Sequence, residues 1–241
     1  MMNLLNQTDI VILAGGLGKR LSSVTGGGQK VLVEIEGKPF IEILIDYIAS
    51  QGGKRFILCT GHGAQAVEDY FEAKRPDLNV VFSIEQEPLG TGGAIKQAAS
   101  LVNTANFLAM NGDCFCVIDY NQLIDTHLKN YANATLAVTM MDDAREYGTI
   151  DLNDRQEIQA FKEKQPMHQS ALINTGTYCF TKDIFKLVTT PAKFSIEYDF
   201  FPHLVGKNFY GFKVENRFID IGTPDRYAWA QQHLKGLKNN G

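Results

Sequence analysis

Three short stretches carry residues suited to handling a phosphate. Gly15-Gly16-Leu17-Gly18 is followed at once by Lys19 and Arg20, and Gly90-Thr91-Gly92-Gly93 and Asn111-Gly112-Asp113 come later in the chain. Glycines let backbone N–H groups approach an anion without a Cβ in the way, and cations behind them add charge. The known phosphate loops fit the first stretch poorly. A dinucleotide fingerprint needs a third glycine where Leu21 stands. A P-loop needs Ser or Thr after Gly-Lys, but Arg20 follows Lys19. A kinase loop should be followed by its lysine strand and aspartate loop, and neither appears. Taken alone, the stretch is equally well a glycine-rich turn with two solvated cations.

The elements around these stretches bring them together. Apolar runs predict strands over 9–14, 55–60, 79–84, 106–111 and 134–140. Helical spacing fits 39–50, 64–74, 92–102 and 120–131, with Pro39 in a first turn and Gly52-Gly53 closing it. This alternation is that of βαβ units, hence an α/β fold with a parallel sheet covered on both faces. The candidate motifs follow the first, third and fourth strands, so they share the crevice at the strands' carboxyl ends. The second half is less regular. It predicts strands over 148–152, 158–163, 172–180, 210–214 and 217–220, a polar loop over 165–169, and helices over 182–188 and 224–234. No linker or repeat divides the chain, which reads as one domain, 1–241.

Bulk properties narrow the classes. The 241 residues carry a net charge of −4, which argues against a nucleic-acid partner; anion-binding cations must be placed locally. Cys59, Cys114, Cys116 and Cys179 lack zinc-ribbon spacing and read as reduced thiols packed as small hydrophobes. The histidines form no metal-type pair. No apolar run approaches the ~18 residues of a membrane span, and the N-terminus lacks a signal peptide's pattern. The expectation is a cytoplasmic protein with no membrane partner; a homo-oligomer is left open.

In order along the chain stand Gly15-Gly16-Leu17-Gly18-Lys19-Arg20-Leu21, Pro88-Leu89-Gly90-Thr91-Gly92-Gly93-Ala94, Asn111-Gly112-Asp113 and Phe218-Ile219-Asp220-Ile221-Gly222-Thr223-Pro224. With these, the chain resembles the sugar-1-phosphate nucleotidyltransferases from about residue 10 to about 230. Within that family the likeness is greatest to members that guanylylate D-glycero-α-D-manno-heptose 1-phosphate. The resemblance implies a GT-A-like, Rossmann-related three-layer fold with a mixed, mostly parallel sheet. About 1–135 would bind the nucleotide and about 136–241 the sugar phosphate. The implied reaction converts an NTP and a sugar 1-phosphate to an NDP-sugar and pyrophosphate. Its nucleophile is already ionised, so catalysis reduces to positioning and cations.

By the same resemblance, Arg20 holds the β and γ phosphates and Lys30 is the second catalytic cation. Lys30 stands in Gln29-Lys30-Val31 after Gly26-Gly27-Gly28, without the prolines the family usually places around it. Asp113 and Asp220 are the implied Mg²⁺ ligands, and Asp113 is also counted as catalytic. Leu13, Gly15, Gly16, Gly18, Lys19, Glu85, Gly90, Thr91, Asn111 and Gly112 would line the nucleotide. Tyr147, Gly148, Glu163, Lys164, Asn174, Thr175 and Glu197 would line the sugar phosphate. Glu85 lies where thymine- and uracil-using relatives carry glutamine. A carboxylate can accept both guanine N1–H and the exocyclic amine, so GTP is the expected nucleotide.

The sugar is less readable, and mannose or another hexose 1-phosphate is the alternative. Three other classes are weighed. A GT-A glycosyltransferase would usually show Asp-x-Asp. A non-catalytic binding subunit would explain the unusual 26–30 stretch. An NAD(P) enzyme lacks its glycine.

Overall fold

The computed structural model describes residues 3–16, 18–21, 26, 28–61, 63–163, 170–215 and 218–238. From the N-terminus the order is β1 (Asp9–Leu13), the hairpin β2 (Glu34–Ile35) and β3 (Lys38–Pro39), α1 (Phe40–Ser50), β4 (Arg55–Thr60) and α2 (Ala64–Lys74). Next come β5 (Asn79–Ile84), α3 (Gly90–Ala98), β6 (Asn106–Asn111), β7 (Cys114–Cys116), α4 (Tyr120–Lys129) and β8 (Ala134–Met141). The chain ends with β9 (Thr149–Leu152), β10 (Ile158–Lys162), β11 (Ala171–Thr181), α5 (Phe201–Leu204), β12 (Phe209–Lys213), β13 (Phe218–Asp220) and α6 (Pro224–Lys238).

Strand β1 shows how the layers arise. Successive side chains of a strand point to opposite faces. Ile10 and Ile12 therefore join one apolar cluster with Phe40, Phe71, Leu123 and Ala230, from α1, α2, α4 and α6. Val11 joins a second cluster with Ala94, Ile95, Phe200 and Phe201, from α3, the turn before α5 and α5 itself. The result is helices on both faces of a central sheet, the expected three layers.

The main sheet has the order β10-β9-β11-β6-β1-β4-β5, with β8 and β12 built onto β11. Strands β6, β1, β4 and β5 are mutually parallel, whereas β11 runs against β6, β8 and β9. The parallel set sends all its exits to one edge, as the sequence predicts. Along β11 the register with β8 breaks between Asn174 and Tyr178, where Gly176 has φ +75°. Such a bulge bends a strand and re-aims its side chains; here it marks the strand's passage past the site.

Several expected elements differ. The helix over 92–102 starts earlier, at Gly90, and its end is a 3₁₀ turn, Ala99–Leu101. The helix over 120–131 stops at Lys129, and Tyr131 has a left-handed φ of +48°. The helix over 182–188 is only a 3₁₀ turn, Ile184–Lys186; Thr189, Thr190 and Pro191 follow, and so short a segment cannot offset helix nucleation. The π-helical turn Ile196–Phe200 and α5 are additional elements, ordered by aromatic packing of Phe185, Phe194, Phe200 and Phe201. Strand β7 is also additional. It pairs with β13, setting Cys114 opposite Asp220. The predicted loop over 165–169 lies outside the described residues.

Candidate active site

Two cavities meet at the exit edge of the parallel strands. The larger, of about 860 Å³, is bounded by Leu13, Gly15, Gly16, Lys30, Glu85, Gly90 and neighbouring backbone. The smaller, of about 330 Å³, is bounded by Tyr147, Gly148, Glu163, Asn174, Thr175, Glu197, Asp220 and others. Thr91, Asn111 and Asp113 border both. Most of the sequence-predicted residues that border a cavity fall in the expected nucleotide or sugar group, while Gly18 and Gly112 border neither. Arg20, expected at the triphosphate, is exposed and lines the smaller cavity.

The acids at the junction are held by pairing of short strands. The Ile221 N–H donates to the Asp113 carbonyl at 3.0 Å, tying β13 to the residue that precedes β7. Asp113 Oδ2 pairs with Lys30 Nζ, and its Oδ1 accepts the Cys114 thiol at 3.4 Å. Lys30 itself is buried. Asp220 Oδ2 accepts the Tyr147 hydroxyl at 2.6 Å. Asp220 Oδ1 accepts the Gly222 N–H at 2.9 Å and Arg226 Nη1 at 3.1 Å. Burial first, and the Asp220 charge second, raise the Tyr147 phenol far above its ordinary pKa, so Tyr147 stays a donor. Burial and the Asp113 charge likewise keep Cys114 a thiol.

The two carboxylates suit a magnesium ion by their donor chemistry. Mg²⁺ takes one or two carboxylates and completes its shell with phosphate oxygens and water. Asp113 and Asp220 supply two hard oxygen donors, and the described residues hold no cluster of three or more ligating side chains that would form a closed cage. In addition, the buried Asn111 Oδ1 has no hydrogen-bond partner, an acceptor left over on the wall of both cavities.

Strand and helix ends position the other residues. Glu85 follows β5 and donates its N–H to the Thr60 carbonyl at 2.8 Å. Its Oε2 accepts the Leu89 N–H at 2.7 Å, while Oε1 lies toward Gly15, 3.4 Å from where a Cβ there would stand. Burial raises the Glu85 pKa above the ordinary carboxylate range, partly offset by the Leu89 bond. Gly18 has φ +54°, and a Cβ there would stand 2.9 Å from Lys30 Cβ; glycine lets the hairpin fold back onto the lysine stem. Gly112 is buried, its N–H bonded to the Leu13 carbonyl at 2.9 Å. It joins two strand ends and does not border either cavity.

The glycines of Gly90-Thr91-Gly92-Gly93 serve packing more than an anion. The Phe194 carbonyl accepts from the Gly92 and Gly93 N–H groups at 3.1 and 3.3 Å. A Cβ on Gly92 would stand 2.1 Å from Phe194 Cε2. The Gly92 and Gly93 amides are therefore taken up by another segment of this chain, while Gly90 and Thr91 border the larger cavity as expected. Thr91 carries the contact with the smaller cavity: its hydroxyl donates to Glu197 Oε2 at 2.7 Å and accepts the Ile196 N–H at 3.0 Å. Ser195 Oγ also donates to Glu197 Oε2, at 2.7 Å.

On the sugar side, Asn174 Nδ2 donates to the Tyr178 hydroxyl at 3.0 Å, and Asn174 Oδ1 accepts the Gly176 N–H at 3.0 Å. The Thr175 hydroxyl is committed to the Ala137 carbonyl at 2.9 Å. The Glu163 carboxylate lies against Gly148. Lys164 and the side chain of Lys19 lie outside the described residues.

Sequence reasoning missed Arg226, which borders the smaller cavity with its guanidinium 4.8 Å from the Tyr147 ring centre. It also missed Tyr198, on the rim of that cavity. A signal for Arg226 existed: it is a cation in the first turn of α6, where the helix dipole disfavours positive charge.

Residues 9–236 match the family model described as nucleotidyl transferase. The chain is 40% identical over 228 residues to the D-glycero-alpha-D-manno-heptose 1-phosphate guanylyltransferase of Aneurinibacillus thermoaerophilus, covering 94% of this chain and 98% of that protein. A protein of the same description from Campylobacter jejuni is 35% identical over 222 residues, covering 90% and 96%. The crystal structure of HddC from Yersinia pseudotuberculosis complexed with GMP-PN superposes with a TM-score of 0.82 at 38% identity, covering 94% and 99%. Matched along nearly its whole length by sequence and by fold, the chain belongs to the nucleotidyl transferase family.

Proposed function

We propose that the protein transfers GMP from GTP to D-glycero-α-D-manno-heptose 1-phosphate, giving the GDP-sugar and pyrophosphate. The observation that carries the reading is the pair of joined cavities, with Asp113 bordering both and Asp220 on the wall of the smaller. The names and sequence identities of the two heptose 1-phosphate relatives support this sugar. Its chemistry and its nucleotide pool suit a cytoplasmic protein, and among the described residues no helix is long and apolar enough to cross a membrane.

GTP would occupy the larger cavity, with the free edge of Glu85 accepting from guanine. The sugar would occupy the smaller one, its hydroxyls facing Glu163, Glu197 and Asn174. An oxygen of the sugar phosphate attacks the α-phosphorus. The new P–O bond forms as the bond to the β-phosphate breaks, and the electron pair leaves on pyrophosphate. No base is required, because the attacking oxygen is already ionised. Lys30 and Arg20 reduce repulsion between the two anions and balance charge on the leaving group. Asp113 and Asp220 would hold Mg²⁺, which when bound supplies further charge neutralisation at the phosphates. Tyr147, Arg226 and the Gly222 N–H hold the Asp220 carboxylate in place on the wall of the smaller cavity.

The test is a grid of GTP, ATP, CTP, UTP and dTTP against heptose, mannose and glucose 1-phosphates with Mg²⁺, scored by pyrophosphate release. GTP with the heptose phosphate should give the highest kcat/KM. Preference for a pyrimidine nucleotide, or no pyrophosphate with any pair, defeats the reading.

A further inference from the structure

The smaller cavity presents a charge problem. Its described walls include five carboxylates, those of Asp113, Glu146, Glu163, Glu197 and Asp220. A sugar 1-phosphate is a dianion at neutral pH, and repulsion would exclude it unless cations face its phosphate. Among the described wall residues the cations are Arg20 and Arg226. Arg20 is exposed, and no described group pairs with it. Arg226 is fixed in place. One Nη1–H donates to Asp220 Oδ1 at 3.1 Å, and its guanidinium lies on the Tyr147 ring at 4.8 Å. Its backbone N–H donates to Thr223 Oγ1 at 3.4 Å.

This geometry leaves part of the guanidinium fork unused. Arginine has five N–H donors, and Asp220 takes one of them. The side chain remains 27% exposed, and it borders the cavity. Its position in the first turn of α6 opposes the helix dipole, so the residue is poorly explained by helix stability. We propose that Arg226 binds the phosphate of the sugar 1-phosphate directly, holding the attacking oxygen beside Asp220. The planar fork suits this task, because it can bond the carboxylate on one edge and a phosphate on another. Stacking on Tyr147 fixes the plane before the substrate arrives, which lowers the ordering cost of binding.

The inference rests on the proposed reaction, and its test separates the two. Wild-type protein, Arg226→Met and Arg226→Lys are compared by steady-state kinetics and by calorimetric titration with D-glycero-α-D-manno-heptose 1-phosphate in the absence of GTP. Wild-type turnover with that sugar establishes the reaction itself; its absence overturns the reaction and, with it, this role. Given turnover, Arg226→Met should raise KM and Kd for the sugar phosphate about tenfold or more, while KM for GTP stays within about twofold. Arg226→Lys, which keeps charge but not the fork, should fall between. Equal effects on both substrates, or a loss of kcat with unchanged sugar affinity, would make Arg226 only an anchor for Asp220 and overturn the proposal. If Arg226→Met fails to fold, Arg226→Lys and Arg226→Gln decide by the same comparison.

Discussion

Glu85→Gln tests how the base is read. In the native protein, Oε2 is committed to the Leu89 N–H at 2.7 Å, and Oε1 faces the Gly15 side of the larger cavity. A glutamine would keep the Leu89 bond only by giving it the amide oxygen. The NH₂ group would then face the cavity and meet the N1–H and amine of guanine, donor against donor. Losing a charged acceptor and leaving donors unpaired costs about 1–3 kcal/mol. That corresponds to a fall of roughly 5- to 150-fold in kcat/KM for GTP. Pyrimidine nucleotides, which offer an acceptor beside a donor, should suffer less or gain. The assay is pyrophosphate release with each NTP at fixed sugar phosphate. Acidity gives a second readout. Burial raises the Glu85 pKa, so the ionised form that accepts from guanine is lost as pH falls through that raised value. KM for GTP should then rise on the acid side in the wild type but not in Glu85→Gln. A variant that keeps wild-type kcat/KM and selectivity for GTP would refute the assignment.

Asp113→Asn and Asp220→Asn should each remove most of the turnover while leaving circular dichroism and GTP binding near those of wild type; near-normal rates in both would end the metal assignment. Gly92→Ala should lower the thermal midpoint by several degrees, because the added Cβ would meet Phe194 Cε2 at 2.1 Å. Overpacking of this kind costs about 1–3 kcal/mol, more than alanine's helix preference of about 1 kcal/mol returns; an unchanged or raised midpoint would mean that Phe194 moves aside freely. His127 is buried between Thr135 Oγ1 at 3.0 Å and Asn106 Oδ1 at 3.2 Å, and burial lowers its pKa from 6.5 to about 4. The unfolded chain therefore binds the proton first as pH falls, so stability present above pH 6.5 is lost down to about pH 4. The loss is about 3 kcal/mol, and denaturant midpoints across that range should show it in wild type and not in His127→Gln.

Local patterns along the chain were enough to read the sheet's parallel half and the edge to which its strands send their exits. Apolar runs in β1, β4, β5 and β6 and the helical spacing of α1 and α2 are local patterns, and parallel connection forces their exits to one side. The expectation of an anion-binding crevice was therefore readable from Gly15, Asn111 and Asp113, because each lies at or within two residues of the end of its strand. Elements held by distant partners were not readable. The 182–188 segment has helical spacing but too few residues to nucleate, and the turn at 196–200 is held by packing of Phe200 on Phe185 and Phe194. The glycines of 90–93 look like a ligand loop in one dimension, yet their amides and open space belong to Phe194, about 100 residues away. Likewise only the pairing of β7 with β13 brings Asp113 to Asp220, and only the fold lays Arg226 on Tyr147. Backbone periodicity is a short-range property, whereas which charge faces which is fixed by contacts between segments the sequence keeps apart.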